Sequence, residues 1–219
     1  MAEQQPMNEL QELARYVEEG QTQKTLDLTK NLLSAGLASQ SILNDGLIAG
    51  MAVVGEKMRN GEMYLPEVLQ SAAAMKASLA VLKPLLAQDG AQSRGKVLLG
   101  TVKGDMHDIG KNLVGIMLQG AGFEIIDVGL NVEPQSFVAG ITEHRPDILG
   151  LSAMLTTTML NMKTTLEAIT GAGLRGKVKV IVGGAPVSQK YADEIGADGY
   201  ARDAVLAVDK VKQLLSISH

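Results

Sequence analysis

A change of hydrophobic periodicity between residues 88 and 95 constrains the fold of this chain more than any other feature. Before this segment, apolar residues recur at helical spacing and no alternation of period two lasts. After it, short aliphatic runs alternate with helical patterns. The segment itself, QDGAQSRG, is polar and contains glycine. It therefore predicts a linker between a domain of residues 1–90 and a domain of residues 91–219.

The N-terminal part predicts four helices, because Leu, Ala, Met and Glu dominate it and glycines interrupt the apolar pattern. Their expected ranges are about 8–19, 22–35, 39–60 and 66–87. Pro84 is expected to bend or shorten the last turn of the fourth helix. The connections are short, which is typical of an antiparallel helix bundle.

The C-terminal part predicts five strand–helix units, and therefore an α/β fold with a parallel sheet covered by helices on both faces. The expected strands are about 97–102, 124–128, 147–152, 178–183 and 199–201. The expected helices are about 111–121, 134–144, 157–170, 188–195 and 204–215.

Composition excludes several classes of function. The 219 residues carry a net charge of −4 without a basic region, so we expect no nucleic-acid partner. Apolar runs are far shorter than the roughly 20 residues of a membrane span, so we expect no membrane partner. Cysteine is absent, which excludes disulfides and thiolate metal sites. Because the amino terminus also lacks an apolar signal region, we expect the protein to be cytoplasmic.

A polar cluster follows the first predicted strand directly, with Asp105, His107 and Asp108 within four residues. Ligands bind beyond the carboxyl ends of parallel strands, so this cluster is a candidate site. A carboxylate two residues before a histidine can accept one ring N–H and leave the other nitrogen for a metal. A histidine at a strand end is also commonly an ordinary hydrogen-bonded residue. A hydrolytic zinc site would need further ligands, which His144 and His219 are poorly placed to supply.

Two glycine patterns do not indicate nucleotide binding. Between Gly104 and Gly110 there are five residues where a phosphate loop requires four, and Asn112 stands where a hydroxyl must bind magnesium. The series Gly171, Gly173, Gly176 follows a helix and precedes a strand, which is the reverse of a dinucleotide-binding turn. The charges of Lys103, Lys111 and Asp108 are expected to be solvated in loops, with the alternative that Lys103 or Lys111 meets a propionamide or phosphate group.

At residues 105–110 the sequence Asp-Met-His-Asp-Ile-Gly matches the D-x-H-x-x-G signature of cobalamin-binding domains. Later landmarks match as well. Between Gly110 and Ser152 lie 41 residues, and between Met154 and the pair that begins at Gly183 lie 28. This is the layout of that family's serine and glycine–glycine motifs. The C-terminal part therefore resembles a cobalamin-binding domain.

The helical part resembles the methyl-transfer branch of the same family, through VGEKM at 54–58 and GEMYLPEV at 61–68. Apart from its extreme ends, the chain is similar to a stand-alone corrinoid protein of a methyltransferase system. That resemblance implies a four-helix bundle that caps a five-stranded, doubly wound, Rossmann-like and flavodoxin-like domain. It also implies cobalamin as the cofactor, with cobalt as its metal.

The function implied by the resemblance is methyl transfer. A corrinoid carries the methyl group from a substrate-specific methyltransferase to an acceptor methyltransferase that uses tetrahydrofolate or a thiol, and a reductive activase is a third partner. The chain would not be catalytic alone. By analogy, His107 replaces the cofactor's own base beneath cobalt, the base-off/His-on mode, with Asp105 behind it. Thr158 stands where the family has a serine hydroxyl that completes this relay.

The same resemblance assigns further residues to cofactor binding. The nucleotide tail would lie beside the sheet, near the ends of the third and fourth strands. A side chain at Gly183 or Gly184 would fill the space that the tail occupies. The reactive face of the corrin would be covered by Met58, Leu65 and Val68. The other residues assigned to the cofactor are Met106, Asp108, Ile109, Gly110, Ser152, Met154, Thr156, Gly183 and Gly184.

Three other classes stay open from the sequence. A cobalamin-binding sensor or regulatory module without methyl transfer would share the His107 motif, although no predicted N-terminal helix is basic. An adenosylcobalamin isomerase module would need a large substrate barrel in addition. A flavodoxin-like adaptor would bind no cofactor. The resemblance does not identify the methyl donor, because the donor pocket would lie on another polypeptide, so methanol, methylamines, glycine betaine and aryl methyl ethers all stay open.

Overall fold

A computed structural model describes residues 4–88 and 93–217 of the chain. The chain divides into two compact units, one formed by residues 1–92 with 120–122 and the other by residues 93–119 with 123–219. Residues 89–92 of the expected linker lie outside the described residues, so the linker stays a prediction. Within the described ranges, no helix combines the length and the apolar character that a membrane crossing requires.

The N-terminal unit is helical, as expected. Its helices are α1 (Gln4–Glu18), α2 (Thr22–Ser34), α3 (Ser39–Ser41), α4 (Ala49–Asn60) and α5 (Leu65–Gln88). Helix α3 continues into α4 through the π-helical stretch Ile42–Ile48, which the sequence pattern did not predict. Pro84 lies inside α5, which runs on to Gln88. Pro84 therefore does not shorten this helix, and the alternative expectation, a bend in its last turn, stays a prediction.

Two glycines, one in the π-helical stretch and one in α4, allow α1 to approach these two segments closely. A Cβ atom at Gly46 would lie 2.5 Å from Leu13 Cδ2, and one at Gly50 would lie 2.5 Å from the carbonyl oxygen of Ala14. Side chains at these two positions would push the helices apart, since real Cβ contacts are longer. Fully buried apolar side chains surround this contact: Leu13, Val17, Ile42, Leu47 and Val54.

The C-terminal unit is an α/β domain with a five-stranded parallel sheet, and the predicted fold class is confirmed. The strands are β1 (Lys96–Thr101), β2 (Glu124–Asp127), β3 (Ile148–Ser152), β4 (Lys179–Gly183) and β5 (Gly199–Ala201). The helices are α6 (Ile109–Gly120), α7 (Pro134–His144), α8 (Thr156–Gly171), α9 (Gln189–Ile195) and α10 (Ala204–Leu214).

Helices cover both faces of the sheet. A Cβ atom at Gly140 of α7 would lie 3.1 Å from Leu98, and one at Gly115 of α6 would lie 3.3 Å from Leu99. Successive residues of a strand point to opposite faces, so α6 and α7 lie on opposite sides of β1. One buried core lies on the Leu98 side and includes Leu98, Phe137, Leu149, Leu151, Met162, Leu166, Ile169, Val180 and Val182.

The strand order β2-β1-β3-β4-β5 places a topological switch point between β1 and β3. The chain leaves β1 for β2 on one side and later enters β3 on the other side. In open parallel sheets, the crevice beyond the carboxyl ends of the strands at such a point is the usual ligand site. The loops that follow β1 and β3 are therefore the first place to search for function.

Candidate functional site

The loop after β1 brings a histidine and a buried carboxylate together. Gly104 turns the chain with φ +80, a conformation that a side chain disfavours. The side chain of Asp105 is fully buried, whereas that of His107 is 55% exposed. Asp105 Oδ1 accepts from the ring Nδ1 of His107 at 2.8 Å and from the backbone N–H of the same residue at 3.0 Å. The Thr101 hydroxyl donates to the His107 carbonyl at 3.0 Å and fixes this turn.

The second oxygen of Asp105 is bound by the loop after β3 and the first turn of α8. Oδ2 accepts from the backbone N–H of Met154 at 2.7 Å and from the Thr158 hydroxyl at 2.5 Å. Thr158 is buried, and its hydroxyl also lies 3.0 Å from the Leu155 carbonyl oxygen. A charged acceptor is the stronger partner for that hydroxyl. The structure thus brings together the three residues that sequence reasoning placed in a relay.

These contacts determine which ring nitrogen is available. Burial alone would raise the pKa of Asp105, but the hydrogen bonds from Thr158, Met154 and His107 outweigh it and lower that pKa well below its ordinary value. An ionised carboxylate can only accept, so Nδ1 carries the hydrogen in the neutral imidazole and Nε2 keeps its lone pair. Nε2 has no hydrogen-bond partner within the described part of the chain. It is therefore free to bind a metal.

Sequence reasoning missed two asparagines that hold this loop. Asn131, after β2, accepts from the Gly104 N–H at 2.7 Å and donates its own N–H to the Asp105 carbonyl at 3.0 Å. Asn161, on α8, donates to the Lys103 carbonyl at 2.8 Å. Asn131 has φ 52, and asparagine tolerates this region well. For Asn131, that preference was the only signal in the sequence. Neither asparagine could be assigned to this loop, because Gly104 and Lys103, the residues that their side chains bind, are distant in the chain.

The predicted tail-binding residues lie at neighbouring strand ends. Thr101 of β1, Ser152 of β3 and Gly183 of β4 are aligned across the sheet. A Cβ atom at Gly183 would lie 2.8 Å from the Ala201 carbonyl oxygen, and one at Gly184 only 1.8 Å from that of Ala153. Gly184 also has φ +121. Both glycines are thus required by contact with neighbouring backbone, a reason that the sequence prediction of a filled slot did not give.

Large apolar side chains are exposed on both sides of His107. Met106, in the loop after β1, is 67% exposed, and Ile109, the first residue of α6, is 71% exposed. Met154 and Leu155 are about half exposed in the loop after β3. Exposed apolar groups in two adjacent loops form a surface that favours a large apolar ligand. Thr156 and Gly110 are exposed in the first turns of α8 and α6.

Three other predicted residues belong to the N-terminal unit. Met58 lies on α4 and Leu65 begins α5, and both are partly exposed. Val68, one turn further along α5, is fully buried. Their assignment to the reactive face of the corrin stays a prediction.

The predicted loop charges fall into two groups. Lys111 was expected to be solvated, but it is 5% exposed and forms an ion pair with Asp127 at the end of β2. That expectation was wrong because the partner comes from another strand. Lys103 pairs with Glu133 at 3.1 Å in an exposed bridge, and Asp108 accepts from the Asn112 amide at 3.1 Å. In residues 4–88 and 93–217, no three His, Cys, Asp or Glu side chains are grouped as metal ligands.

Family comparisons match both units. A model described as B12 binding domain matches residues 95–209, and a second model with the same description matches residues 9–83. The first covers the sheet, the His107 loop and the Gly183–Gly184 pair. The second covers the helices of the N-terminal unit.

Individual relatives extend over most of the chain. A corrinoid protein of Desulfitobacterium hafniense (strain Y51) is 43% identical over 95% of this chain and 98% of its own. The dimethylamine corrinoid protein of Methanosarcina barkeri is 46% identical over 82% of this chain and 85% of its own. A chain of the methanol:cobalamin methyltransferase complex of Methanosarcina barkeri superposes with a TM-score of 0.86 at 27% identity, covering 96% of this chain and 81% of that chain.

Proposed function

Since this chain belongs to the B12-binding corrinoid proteins of methyltransferase systems, we propose that it is a methyl carrier that binds cobalamin through His107 in the base-off/His-on mode. The observation that carries this proposal is the His107 ring, whose Nδ1 is held 2.8 Å from a fully buried carboxylate. A carboxylate in this position fixes the tautomer and raises the basicity of the ligating nitrogen.

The residues present fit cobalamin in two respects. The free Nε2 of His107 is a single donor, which suits a metal whose other ligands come from a macrocycle. The exposed side chains of Met106, Ile109 and Met154 offer apolar contacts beside that donor. Cobalamin, when bound, supplies the cobalt that accepts and releases the methyl group.

The chain's own contribution is orientation and control of one proton. Asp105 accepts a hydrogen bond from His107 Nδ1, while the Thr158 hydroxyl and the Met154 N–H keep that carboxylate ionised. Loss of either donor would raise the pKa of Asp105 and so disfavour the carboxylate that stabilises the Nδ1–H tautomer. The three groups therefore set how strongly Nε2 donates to cobalt.

The partners and the compartment belong to the proposal as well. A carrier needs a substrate-specific methyltransferase, an acceptor methyltransferase and a reductive activase. Similarity to a dimethylamine corrinoid protein and to a chain of a methanol:cobalamin methyltransferase complex supports the first of these. The acceptor, tetrahydrofolate or a thiol, and the cytoplasmic location stay predictions.

Spectroscopy of the reconstituted protein tests histidine ligation. We expect cobalamin bound to the wild type to lose its base-on absorption signature. In the Co(II) state, the nitrogen hyperfine pattern should change when histidine is labelled with ¹⁵N. His107→Ala should lose that sensitivity. His144→Ala is the matched control, because this histidine ends α7 just before the start of β3, whereas the His107 loop follows the end of β1. A base-on spectrum in the wild type, or a label effect that survives in His107→Ala, would refute the proposed ligation.

A further inference from the structure

Asn131 contacts the His107 loop at two points. Its side-chain oxygen accepts from the Gly104 N–H at 2.7 Å, and its backbone N–H donates to the Asp105 carbonyl at 3.0 Å. The two bonds lie on either side of the Gly104–Asp105 peptide segment. Asn131 thus binds the backbone on which the carboxylate of Asp105 is mounted.

The two loops that meet here are tied together by further bonds. Val132 donates its N–H to the Thr101 carbonyl at 3.0 Å, and Val102 forms a parallel bridge with Val132. Lys103 pairs with Glu133 at 3.1 Å. These bonds fix the loop after β2 against the end of β1. The side chain of Asn131 is therefore presented to Gly104 by a supported backbone.

The orientation of the imidazole depends on this backbone. Both hydrogen bonds from His107 go to Asp105 Oδ1, and the bonds from the Met154 N–H and the Thr158 hydroxyl go to Oδ2. A change of the backbone dihedral angles at Gly104 would move all four together, since Gly104 has no side chain to restrict it. The two Asn131 bonds oppose this change, because one holds the N–H that precedes the Gly104 Cα atom and the other holds the carbonyl that follows the Asp105 Cα atom. Between them, the Asp105 N–H donates to the Val102 carbonyl at 3.1 Å.

We propose that Asn131 is a positioning residue for the His107 imidazole, through its hydrogen bonds to the Gly104 N–H and the Asp105 carbonyl. This inference rests on the proposed function, in which that imidazole binds cobalt. Asn131 does not touch the ring itself, and it acts through Asp105. Preorganisation of this kind lowers the cost of fixing the ligand when the cofactor binds.

Asn131→Gly isolates the side chain. Glycine accepts φ 52 and keeps the backbone N–H, so the bond to the Asp105 carbonyl can still form, while the side-chain amide, whose oxygen receives the Gly104 N–H, is lost. Asn131→Asp restores an acceptor at the same distance. Arg145→Gly is the matched control, because Arg145 has the similar φ of 49 at the end of α7, away from the His107 loop.

Two readouts are measured on each variant. In the cofactor-free protein, hydrogen exchange reports how well the Gly104 and His107 amides are protected. In titrations with hydroxocobalamin, the dissociation constant and the absorption spectrum report ligation. A hydrogen bond of ordinary strength corresponds to between about twofold and tenfold in an equilibrium constant. For Asn131→Gly we expect the dissociation constant for hydroxocobalamin to rise by about twofold to tenfold. We also expect faster exchange at the Gly104 amide and a spectrum that shows incomplete histidine ligation.

Restoration of both readouts in Asn131→Asp, with wild-type values in Arg145→Gly, would support the inference. Wild-type exchange and affinity in Asn131→Gly would overturn it, and so would a failure of Asn131→Asp to restore them. A wild-type protein that binds cobalamin without histidine ligation would refute the proposed function instead. Exchange in the cofactor-free protein would still decide whether Asn131 holds the loop.

Discussion

Asp105 accepts four hydrogen bonds while its side chain is fully buried, and this balance decides the chemistry of the site. Burial opposes a charge, and each donor offsets part of that opposition. The donors come from the β1 loop and from the β3–α8 connection. A single carboxylate therefore links the two loops of the switch point and fixes the ring nitrogen that faces away from it.

Thr158→Val removes one of these donors and should lower the free energy of unfolding by about 1.5–3 kcal/mol at pH 7. The expected reason is the loss of a hydroxyl that donates to a buried charge at 2.5 Å. Thr158→Ser keeps that hydroxyl and is the matched control, with a smaller loss from the missing methyl group. Urea unfolding of the cofactor-free protein measures both. Equal losses in the two variants would contradict this account.

The same comparison has a defined pH dependence. The pKa of Asp105 is lowered in the folded chain relative to about 4 in an unfolded chain. Its carboxylate therefore contributes stability that is fully present above that value and is lost as pH falls through the folded pKa. The unfolded state is the same for the wild type and Thr158→Val, so their difference should shrink only as pH falls through the folded-state pKa of Asp105, which should be higher in Thr158→Val than in the wild type. An Asp105 carboxyl group that titrates at the same pH in both folded proteins would show that the Thr158 hydroxyl does not stabilise its charge.

The ends of β3 and β4 approach so closely that only glycine fits at residue 184. Gly184→Ala should lower the free energy of unfolding by more than about 3 kcal/mol. The added Cβ atom would meet the Ala153 carbonyl oxygen at 1.8 Å, and φ +121 is itself strained for alanine. Gly173→Ala is the control, with φ +70 but no atom within 4 Å of the added Cβ. We expect it to cost about 1–2 kcal/mol. Chemical denaturation of the two variants separates contact from strain.

The strands and helices of the C-terminal unit could be predicted because buried parallel strands are short aliphatic runs, as in residues 96–101 and 179–183. The π-helical stretch at 42–48 could not, since an apolar pattern at helical spacing does not distinguish a π-helical turn from an α-helical one. The burial of Lys111 was missed for another reason. Its partner, Asp127, is brought near by the fold of another strand.

The candidate site divides along the same line. Asp105 and His107 are two residues apart, so their contact at 2.8 Å could be expected from spacing alone. The role expected for Thr158 came from the family resemblance, and the structure confirms the contact. The Met154 N–H and the Asn131 oxygen were not predictable. Both act on the Asp105 segment from loops that follow other strands, and a backbone donor leaves no mark in the sequence.

Cobalamin binding should stabilise the whole chain in proportion to how completely its contacts form, because a ligand that binds only the folded state raises stability with its concentration. Hydroxocobalamin at a hundredfold excess over its dissociation constant should add about 2.7 kcal/mol. Thermal unfolding at graded concentrations measures this. Dicyanocobalamin, whose two axial positions are blocked, is the matched ligand, with cyanide alone as its control. At equal concentration, we expect dicyanocobalamin to raise the unfolding temperature less than hydroxocobalamin does, since His107 Nε2 cannot bind its cobalt. Equal shifts from the two ligands would show that the imidazole contributes nothing to binding.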